Sequence, residues 1–290
     1  MRLANIELDG RVRVALIENG EAVDLTTHLG VEWDDVPAFF AGGDDARAQA
    51  ERCRKRATTH LPIETVKFLP PVRRTDKILG VGMNYHSFMV AAERRGLPLP
   101  KQLVWFLRPR ACINGPYDEI WLPCGARDLD YEAELAVIIG RRCRHVRADE
   151  ATSVIAGYTV SNDLTLRDRV FQSVPLGKSF DTHTPLGPWI VTADEIANPH
   201  QLAIRSWVNG ELRQDSNTND MVASCYELIE RISAVCTLNP GDILLTGTPD
   251  GCGVFCNPPQ TLSAGDVVKV EIEGIGAIQN RVIDEPPLTP

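Results

Sequence analysis

The segment LDYEAELAVIIG, Leu129–Gly140, makes two demands that sit uneasily together. Its second half, Leu135 to Ile139, is apolar and β-branched, the composition of a strand entering a core. Its first half carries Glu132 and Glu134, just after Asp128 and Asp130. On a helix, positions i and i+2 point to nearly opposite sides; on a strand they share a face. Read as a strand, the segment sets Glu132, Glu134, Ala136 and Ile138 on one face and Tyr131, Ala133, Leu135 and Val137 on the other. Two like charges this close raise each other's pKa unless a cation lies between them. An exposed edge strand can also carry Glu-x-Glu, so the pair alone leaves both readings open.

A second segment tips the balance. IAGYTVSNDLTLRD, residues 155–168, starts as an apolar strand and ends in Asn162-Asp163, followed by Arg167-Asp168. Acids placed where apolar strands emerge can converge on one point. Three carboxylates with no thiolate or imidazole form a hard oxygen site, which suits Mg²⁺ or Mn²⁺, with Ca²⁺ as a further candidate, rather than zinc. Three protein ligands leave positions for water and two substrate oxygens, an arrangement that serves catalysis rather than structure. Two further segments join them. In LGKSFDTHTPLGPW, residues 176–189, one lysine, Lys178, stands between a glycine and a turn-rich stretch. In LNPGDILLTGTPDGCG, residues 238–253, Gly-Thr-Pro closes a strand and offers backbone N–H groups and a hydroxyl to a carboxylate.

Around these segments the chain reads as α+β and β-rich. RLANIELDG, RVRVALIENG and EAVDLTTHLG are short strands, two of them ending in Asp-Gly or Asn-Gly turns. A helix is expected from Asp44 to Ala57, acidic at its start and basic at its end. Pro70-Pro71 marks a boundary, giving a small N-terminal α/β domain over 1–70 and a larger body over 71–290. In the body, DKILGVGMNY, VIAGYTVSND, LAIRSWVNGELRQ, GDILLTGTP and GDVVKVEIEGIGAIQNRVI each read as strand-like stretches. Helices are expected over Ser87–Arg95 and Met221–Val235.

Composition narrows the function classes. The net charge is −9 with no long basic stretch, which argues against nucleic acid and anionic membrane as partners. No apolar run approaches the roughly 18–20 residues of a membrane span. The first residues alternate and are charged, unlike a signal peptide, so a cytoplasmic setting with reduced thiols is expected for the eight cysteines. There is no C-x-x-C, no G-x-x-x-x-G-K-[ST] phosphate loop and no G-x-S-x-G nucleophile elbow, and GVGMNY lacks the third glycine of a dinucleotide fingerprint.

Seven segments in order, GVGMNY, LDYEAELAVIIGR, IAGYTVSNDLTLRD, GKSFDTHTPLGPW, VNGELRQ, LNPGDILLTGTPDGCG and LSAGDVVKVEIEGIG, resemble the fumarylacetoacetate hydrolase family over roughly residues 73–283. The resemblance implies a mixed β-sandwich roll with a small leading domain, usually a homodimer. It implies a divalent metal, Mg²⁺ or Mn²⁺, on Glu132, Glu134 and Asp163. It places Lys178 beside the metal as a catalytic group, Arg167 in the pocket wall, and Gly247 with Thr248 on a substrate carboxylate or carbonyl. The implied substrate is a small 2-oxo acid or β-dicarbonyl. C–C hydrolysis is the first expectation, and keto–enol isomerisation or decarboxylation through the same enolate is the alternative. A non-catalytic binding protein that keeps the metal pocket is the contrasting reading.

The chain departs from the family at the lid pattern N-Y-x-x-H-x-x-E, whose His–Glu dyad activates water. Here NYHSFMVAAERRG puts Phe88 and Ala91 at those positions, flanked by His86 and Glu93. Seven residues on a helix span about 10.5 Å, too far for a dyad. His86 is therefore either a displaced acid/base or a surface histidine. His183, near Lys178 in sequence, is a second acid/base candidate. Arg108 stands where relatives often have lysine, and cannot act as a base. His28, His60, His145 and His200 have no pocket context.

Overall fold

The computed structural model describes residues 1–57, 59–170 and 172–287. The N-terminal part contains β1 (Arg2–Leu8), β2 (Arg11–Glu18), β3 (Glu21–Asp24), α1 (Leu25–Leu29), α2 (Val36–Ala41), α3 (Gly43–Arg56), β4 (Leu61–Pro62) and β5 (Lys67–Leu69). Next come β6 (Ile78–Gly82), α4 (His86–Arg94), β7 (Val104–Arg108), β8 (Ile113–Asn114), β9 (Ile120–Leu122), β10 (Leu129–Asp130) and β11 (Ala133–Ile139). They are followed by β12 (Ile155–Asn162), β13 (Thr165–Leu166), α5 (Arg167–Val170), α6 (Val174–Lys178) and β14 (Thr184–Thr192). The chain ends with β15 (Ala203–Val208), β16 (Glu211–Asn217), α7 (Cys225–Val235), β17 (Ile243–Leu245), β18 (Val267–Ile272) and β19 (Gly276–Asp284).

The architecture is α+β and β-rich, as the sequence indicates. A twelve-stranded mixed sheet runs β4-β3-β2-β1-β14-β12-β11-β17-β6-β7, with β5 and β8 attached to β1 and β14. A five-stranded sheet, β16-β15-β18-β19-β9, packs on it, and β10 pairs with β13. All seven residues of β11 are buried, because both faces of the strand meet a core. Ala133, Leu135, Val137 and Ile139 face a cluster holding Cys225, Leu228 and Ile232 of α7 and Ile204, Val270 and Ile278 of the smaller sheet. Ala136 and Ile138 face the opposite cluster, with Leu3, Leu16, Phe39, Ala50 and Ile190. The period-2 alternation read from the sequence is therefore real, but both faces are apolar beyond Glu134.

Turn chemistry sets the hairpins. Asp9-Gly10, Asn19-Gly20 and Asn209-Gly210 all take positive φ, the conformation of two-residue hairpin turns. The last of these splits LAIRSWVNGELRQ, read as one stretch, into β15 and β16, with Val208 opposite Glu211. GDVVKVEIEGIGAIQNRVI is likewise two strands, β18 and β19, turning at Gly274. Residues before Pro70 extend the large sheet: Arg2 and Leu3 pair with Val191 and Ile190 of β14. Asn5 anchors the proline boundary, its Nδ2 donating to Pro70 O at 2.9 Å and its Oδ1 accepting from Val36 N at 3.0 Å. Asp35 takes the backbone N–H groups of Arg73 and Arg74 at 2.9 and 2.8 Å. All eight cysteines carry free thiols. Among the described residues no helix is long and apolar enough to cross a membrane.

The topology brings the chemistry to one sheet edge. β11 runs antiparallel to β12 and β17, and β17 runs parallel to β6. The start of β11 therefore lies beside the ends of β12, β17 and β6. Those ends carry Glu132 and Glu134, Asp163, Gly247 and Thr248, and Met83 respectively.

Close packing at the centre of this sheet is testable. A Cβ on Gly157 of β12 would lie 2.1 Å from Val191 O of the neighbouring β14. Gly157→Ala is expected to destabilise the protein by about 3 kcal/mol, read as a lower urea midpoint; an unchanged midpoint would contradict this packing.

Candidate active site

One cavity of about 230 Å³ lies at that edge, and Glu132, Glu134, Asp163, Arg167, Lys178, Gly247 and Thr248 all line it. Seven of the nine site residues expected from the sequence thus meet at one place. The carboxylates are buried, Glu132 at 5% exposure, Glu134 at 1% and Asp163 at 0%. One oxygen from each lies within 4.8 Å of the others.

Buried carboxylates need charge and hydrogen bonds. Lys178 Nζ donates to Glu132 Oε2 at 2.8 Å, to Asp163 Oδ2 at 2.5 Å and to Thr165 Oγ1 at 2.7 Å. All three ammonium hydrogens are thereby directed, and the Phe106 ring lies 5.0 Å below the nitrogen. Arg167 donates to Asp130 Oδ2 and forms an ion pair with Glu132 Oε1, each at 2.8 Å. Arg108 donates to the remaining oxygen of Asp163 and to His183 O at 2.9 Å. Glu134 receives the Gly247 N–H at 2.8 Å.

The resulting charge states diverge. Burial alone would raise the Glu132 pKa, but Lys178 and Arg167 outweigh it and hold the group below the ordinary carboxylate range. Glu134 lacks such a partner: burial first, and then the charge of Glu132, push it up to about 8. Burial lowers the Lys178 pKa, against the opposing pull of Glu132 and Glu134. Arg167 stays charged, since Asp130 and Glu132 override its desolvation. Four acids, Asp130, Glu132, Glu134 and Asp163, face three cations, Arg108, Arg167 and Lys178. With every acid ionised, the cluster holds one net negative charge, and a divalent cation would make it one net positive.

The donor set fits such a cation. It is made of hard carboxylate oxygens at one point, and the high pKa of Glu134 marks where neutralising charge is missing. Glu132, Glu134 and Asp163 are the residues that would hold Mg²⁺ or Mn²⁺.

The two histidines expected in the site are not brought to the cavity. His86 opens α4 and is exposed to solvent, as is Glu93 at the other end of the same helix. The helix turns Phe88 and Ala91 inward instead, and Phe88 lines the cavity against Phe255 at 5.0 Å between ring centroids. His183 is fully buried, with Nε2 2.9 Å from Trp121 O. Thr182 at φ 65° turns the chain just before it, and the ring is not among the cavity-lining groups. Burial brings the His183 pKa down to about 4, so it is neutral at pH 7. Gly247 also differs from expectation, because its N–H is already given to Glu134 rather than free for a substrate. Its φ of 93° is one that glycine adopts readily.

Sequence reading missed three contributors. In the sequence Arg108 stands out only as a departure from lysine, yet it braces Asp163. Asp130 holds Arg167, and also accepts the N–H groups of Gly253 and Val254 at 2.7 and 3.1 Å. Asn84 ties β6 to β17, donating to Thr246 O at 2.8 Å and Ala223 O at 3.0 Å. The Glu-x-Glu and Asn-Asp motifs gave no hint of these, since their partners lie far away in the chain. Around the polar floor the wall is apolar: Met83, Phe88, Leu97, Val104, Val254 and Phe255. Met83 holds a left-handed φ of 63°, uncommon for a non-glycine residue.

Residues 77–283 match the family model described as fumarylacetoacetate (FAA) hydrolase C-terminal. The chain is 46% identical over 268 residues to the mitochondrial oxaloacetate tautomerase FAHD2B of Bos taurus, covering 91% of this chain and 84% of that protein. The crystal structure of maleylpyruvate hydrolase from Sphingobium sp. SYK-6, in complex with manganese(II) and pyruvate, is 32% identical with a TM-score of 0.84, covering 99% of this chain and 100% of that one. That of 5-carboxymethyl-2-hydroxymuconate delta-isomerase from Mycobacterium smegmatis is 32% identical with a TM-score of 0.77, covering 98% and 100%.

The elevated Glu134 pKa has a measurable sign. A cation must displace its proton below about pH 8. Mn²⁺ affinity, measured by calorimetry, is therefore expected to rise about tenfold per pH unit up to that value and then level off. Because the folded pKa lies above the ordinary 4.5, the metal-free fold loses stability as pH rises between about 4.5 and about 8. Its thermal midpoint should fall through that window and recover on adding Mn²⁺. A flat affinity profile would remove Glu134 from the cation site.

Proposed function

This chain belongs to the fumarylacetoacetate hydrolase family of enzymes, and from that premise we propose that it is a divalent-cation-dependent keto–enol tautomerase of a small 2-oxo acid of the oxaloacetate type. One observation carries this choice over C–C hydrolysis. Among the described residues, the ionisable groups lining the cavity are Glu132, Glu134, Asp163, Arg167 and Lys178. The three acids form the cation cluster, Arg167 is bound to Asp130 and Glu132, and the lid side presents Phe88 where water activation would need an imidazole. Hydrolysis needs a group to deprotonate water, whereas tautomerisation needs only a proton relay. The kinship to an oxaloacetate tautomerase supports the same choice, as the manganese and pyruvate of the maleylpyruvate hydrolase support a cation and a 2-oxo acid.

A divalent cation on Glu132, Glu134 and Asp163 would act as a Lewis acid toward the carboxylate and 2-oxo oxygens of the substrate. Lys178 Nζ is the proton-moving group: burial lowers its pKa, and it stands at the cavity surface between Glu132 and Asp163. In the enol-to-keto direction Nζ gives a proton to C3 and regains one from the enol oxygen, so nothing is consumed. Glu132, kept ionised, holds Lys178 and Arg167 in place. Thr248 offers its hydroxyl to a substrate oxygen, and the apolar wall keeps bulk water from the reacting carbon. The cavity's 230 Å³ suits a small acid.

The test uses purified protein, freshly dissolved enol oxaloacetate, and Mg²⁺ or Mn²⁺ with or without EDTA. Decay of the enol absorbance should accelerate in an EDTA-sensitive way, while NMR shows total oxaloacetate conserved. Cleavage of acylpyruvates, or CO₂ release without tautomerisation, would overturn the assignment in favour of hydrolysis or decarboxylation. Lys178→Met should reduce the tautomerisation rate by about 10²–10⁴-fold while Mn²⁺ still binds. A rate within twofold of the unsubstituted enzyme would take Lys178 out of the proton path.

A further inference from the structure

Gln214 of β16 is fully buried beneath the cavity floor and no function assigned above uses it. Its Oε1 accepts from Ala133 N at 3.0 Å and from Ser206 Oγ at 2.9 Å. Its Nε2 donates to Pro249 O at 3.0 Å and to Thr248 Oγ1 at 2.8 Å. The backbone N–H of Ala133 can only donate and the carbonyl of Pro249 can only accept, so the carboxamide has one possible orientation.

That orientation constrains Thr248. Its hydroxyl oxygen already accepts a hydrogen bond from Gln214, so its own proton must go elsewhere. Among the described residues no protein acceptor receives it, and Thr248, 5% exposed, lines the cavity. We propose that Gln214 is a positioning residue that locks the Thr248 hydroxyl as a donor aimed into the cavity, so that the ligand atom bound there must be an unprotonated oxygen acceptor, a carboxylate or a keto group. The same side chain bonds the N–H of Ala133, the residue between Glu132 and Glu134, and so fixes the distance from this donor to the acid cluster. The inference rests on reading the cavity as a 2-oxo-acid site and adds what that reading lacks: a polarity rule for one ligand position.

The experiment compares two unreactive probes, oxalate and oxamate, titrated by calorimetry into the Mn²⁺-loaded protein. Oxamate replaces one carboxylate by an amide whose NH₂ can only donate. The proteins are the unsubstituted chain, Thr248→Val, Gln214→Met and the double variant, with Thr248→Ser as the conservative control and a thermal midpoint for each. Thr248→Val should weaken oxalate about tenfold and reduce the preference for oxalate over oxamate. Thr248→Ser should keep both. Gln214→Met, which frees the hydroxyl to rotate, should reduce the preference by several-fold, and the double variant should be no worse than Thr248→Val because both changes remove one donor. For the 2-oxo acid, KM should rise more than kcat falls.

A purely structural role for Gln214 would lower the thermal midpoint and leave the probe preference unchanged; that outcome overturns the proposal. So would additive losses in the double variant. Should Gln214→Met fail to fold, Thr248→Val decides alone: oxalate affinity equal to that of the unsubstituted chain refutes a ligand-facing hydroxyl. If the unsubstituted protein binds no oxalate at all, the 2-oxo-acid reading falls and this inference with it, whereas binding there with unchanged variants sinks only the inference.

Discussion

The sharing of one ammonium group between two buried carboxylates governs the site. Lys178 reaches Glu132 and Asp163 from the end of α6, and all three side chains are buried. Without it, Glu132 and Asp163 would repel across the mouth of a strand buried on both faces. The cost of burying such charges is several kcal/mol per ion unless each is paired. Arg108 and Arg167 complete the pairing at the outer oxygens. The one acid left without a cation, Glu134, has its pKa pushed up to about 8 by burial and by the charge of Glu132. The neutralisation is therefore incomplete by design of the fold, and the deficit sits where a divalent ion would supply it.

The same scarcity of polar groups shapes the chemistry. Apart from Glu134, every charged side chain on the cavity floor is bound to another, and the walls are methyl groups, thioether and aromatic rings. A substrate entering such a cavity exchanges water for fixed dipoles, which strengthens electrostatic interaction. Replacing the family's lid dyad with Phe88 and Ala91 makes that wall drier than the sequence pattern of the hydrolytic relatives would. Among the described residues that line the cavity, the ionisable groups are three acids, Arg167 and Lys178, the set on which the proposed tautomerisation rests.

Much of this was legible because the signals are local. Period-2 alternation across Ala133–Ile139 gave the central strand, and Asp-Gly and Asn-Gly gave the first hairpins. Glu132, Glu134 and Asp163 could be grouped because each stands where an apolar strand begins or ends. The Asn209-Gly210 turn carried the same signal as the first two, but β-rich sequence on both sides masked it as one long strand. Arg108 was opaque for a different reason: its partner Asp163 lies 55 positions away, and no spacing rule connects them. His183 misled because five residues of separation from Lys178 suggested proximity in space. The chain turns at Thr182 with a left-handed φ, and the His183 imidazole is buried against Trp121 O instead. For His86, helical phase decided: within the first turn of α4 His86 faces water, and Phe88 takes the inward direction.

The convergence of strand ends at one sheet edge also dictates when the site can exist during folding. Glu134 meets Gly247 across 113 positions, and Asn84 meets Thr246 across 162. Contacts between residues so far apart form late, because loop closure must precede them and local structure cannot substitute. The acids, Arg167 and Lys178 lie between positions 132 and 178, whereas Gly247 and Thr248 reach the same cavity from a much later strand. The nascent polypeptide therefore cannot close this cavity until residue 248 has left the ribosome, and ligand binding that needs Thr248 becomes a report on completed assembly of the central sheet.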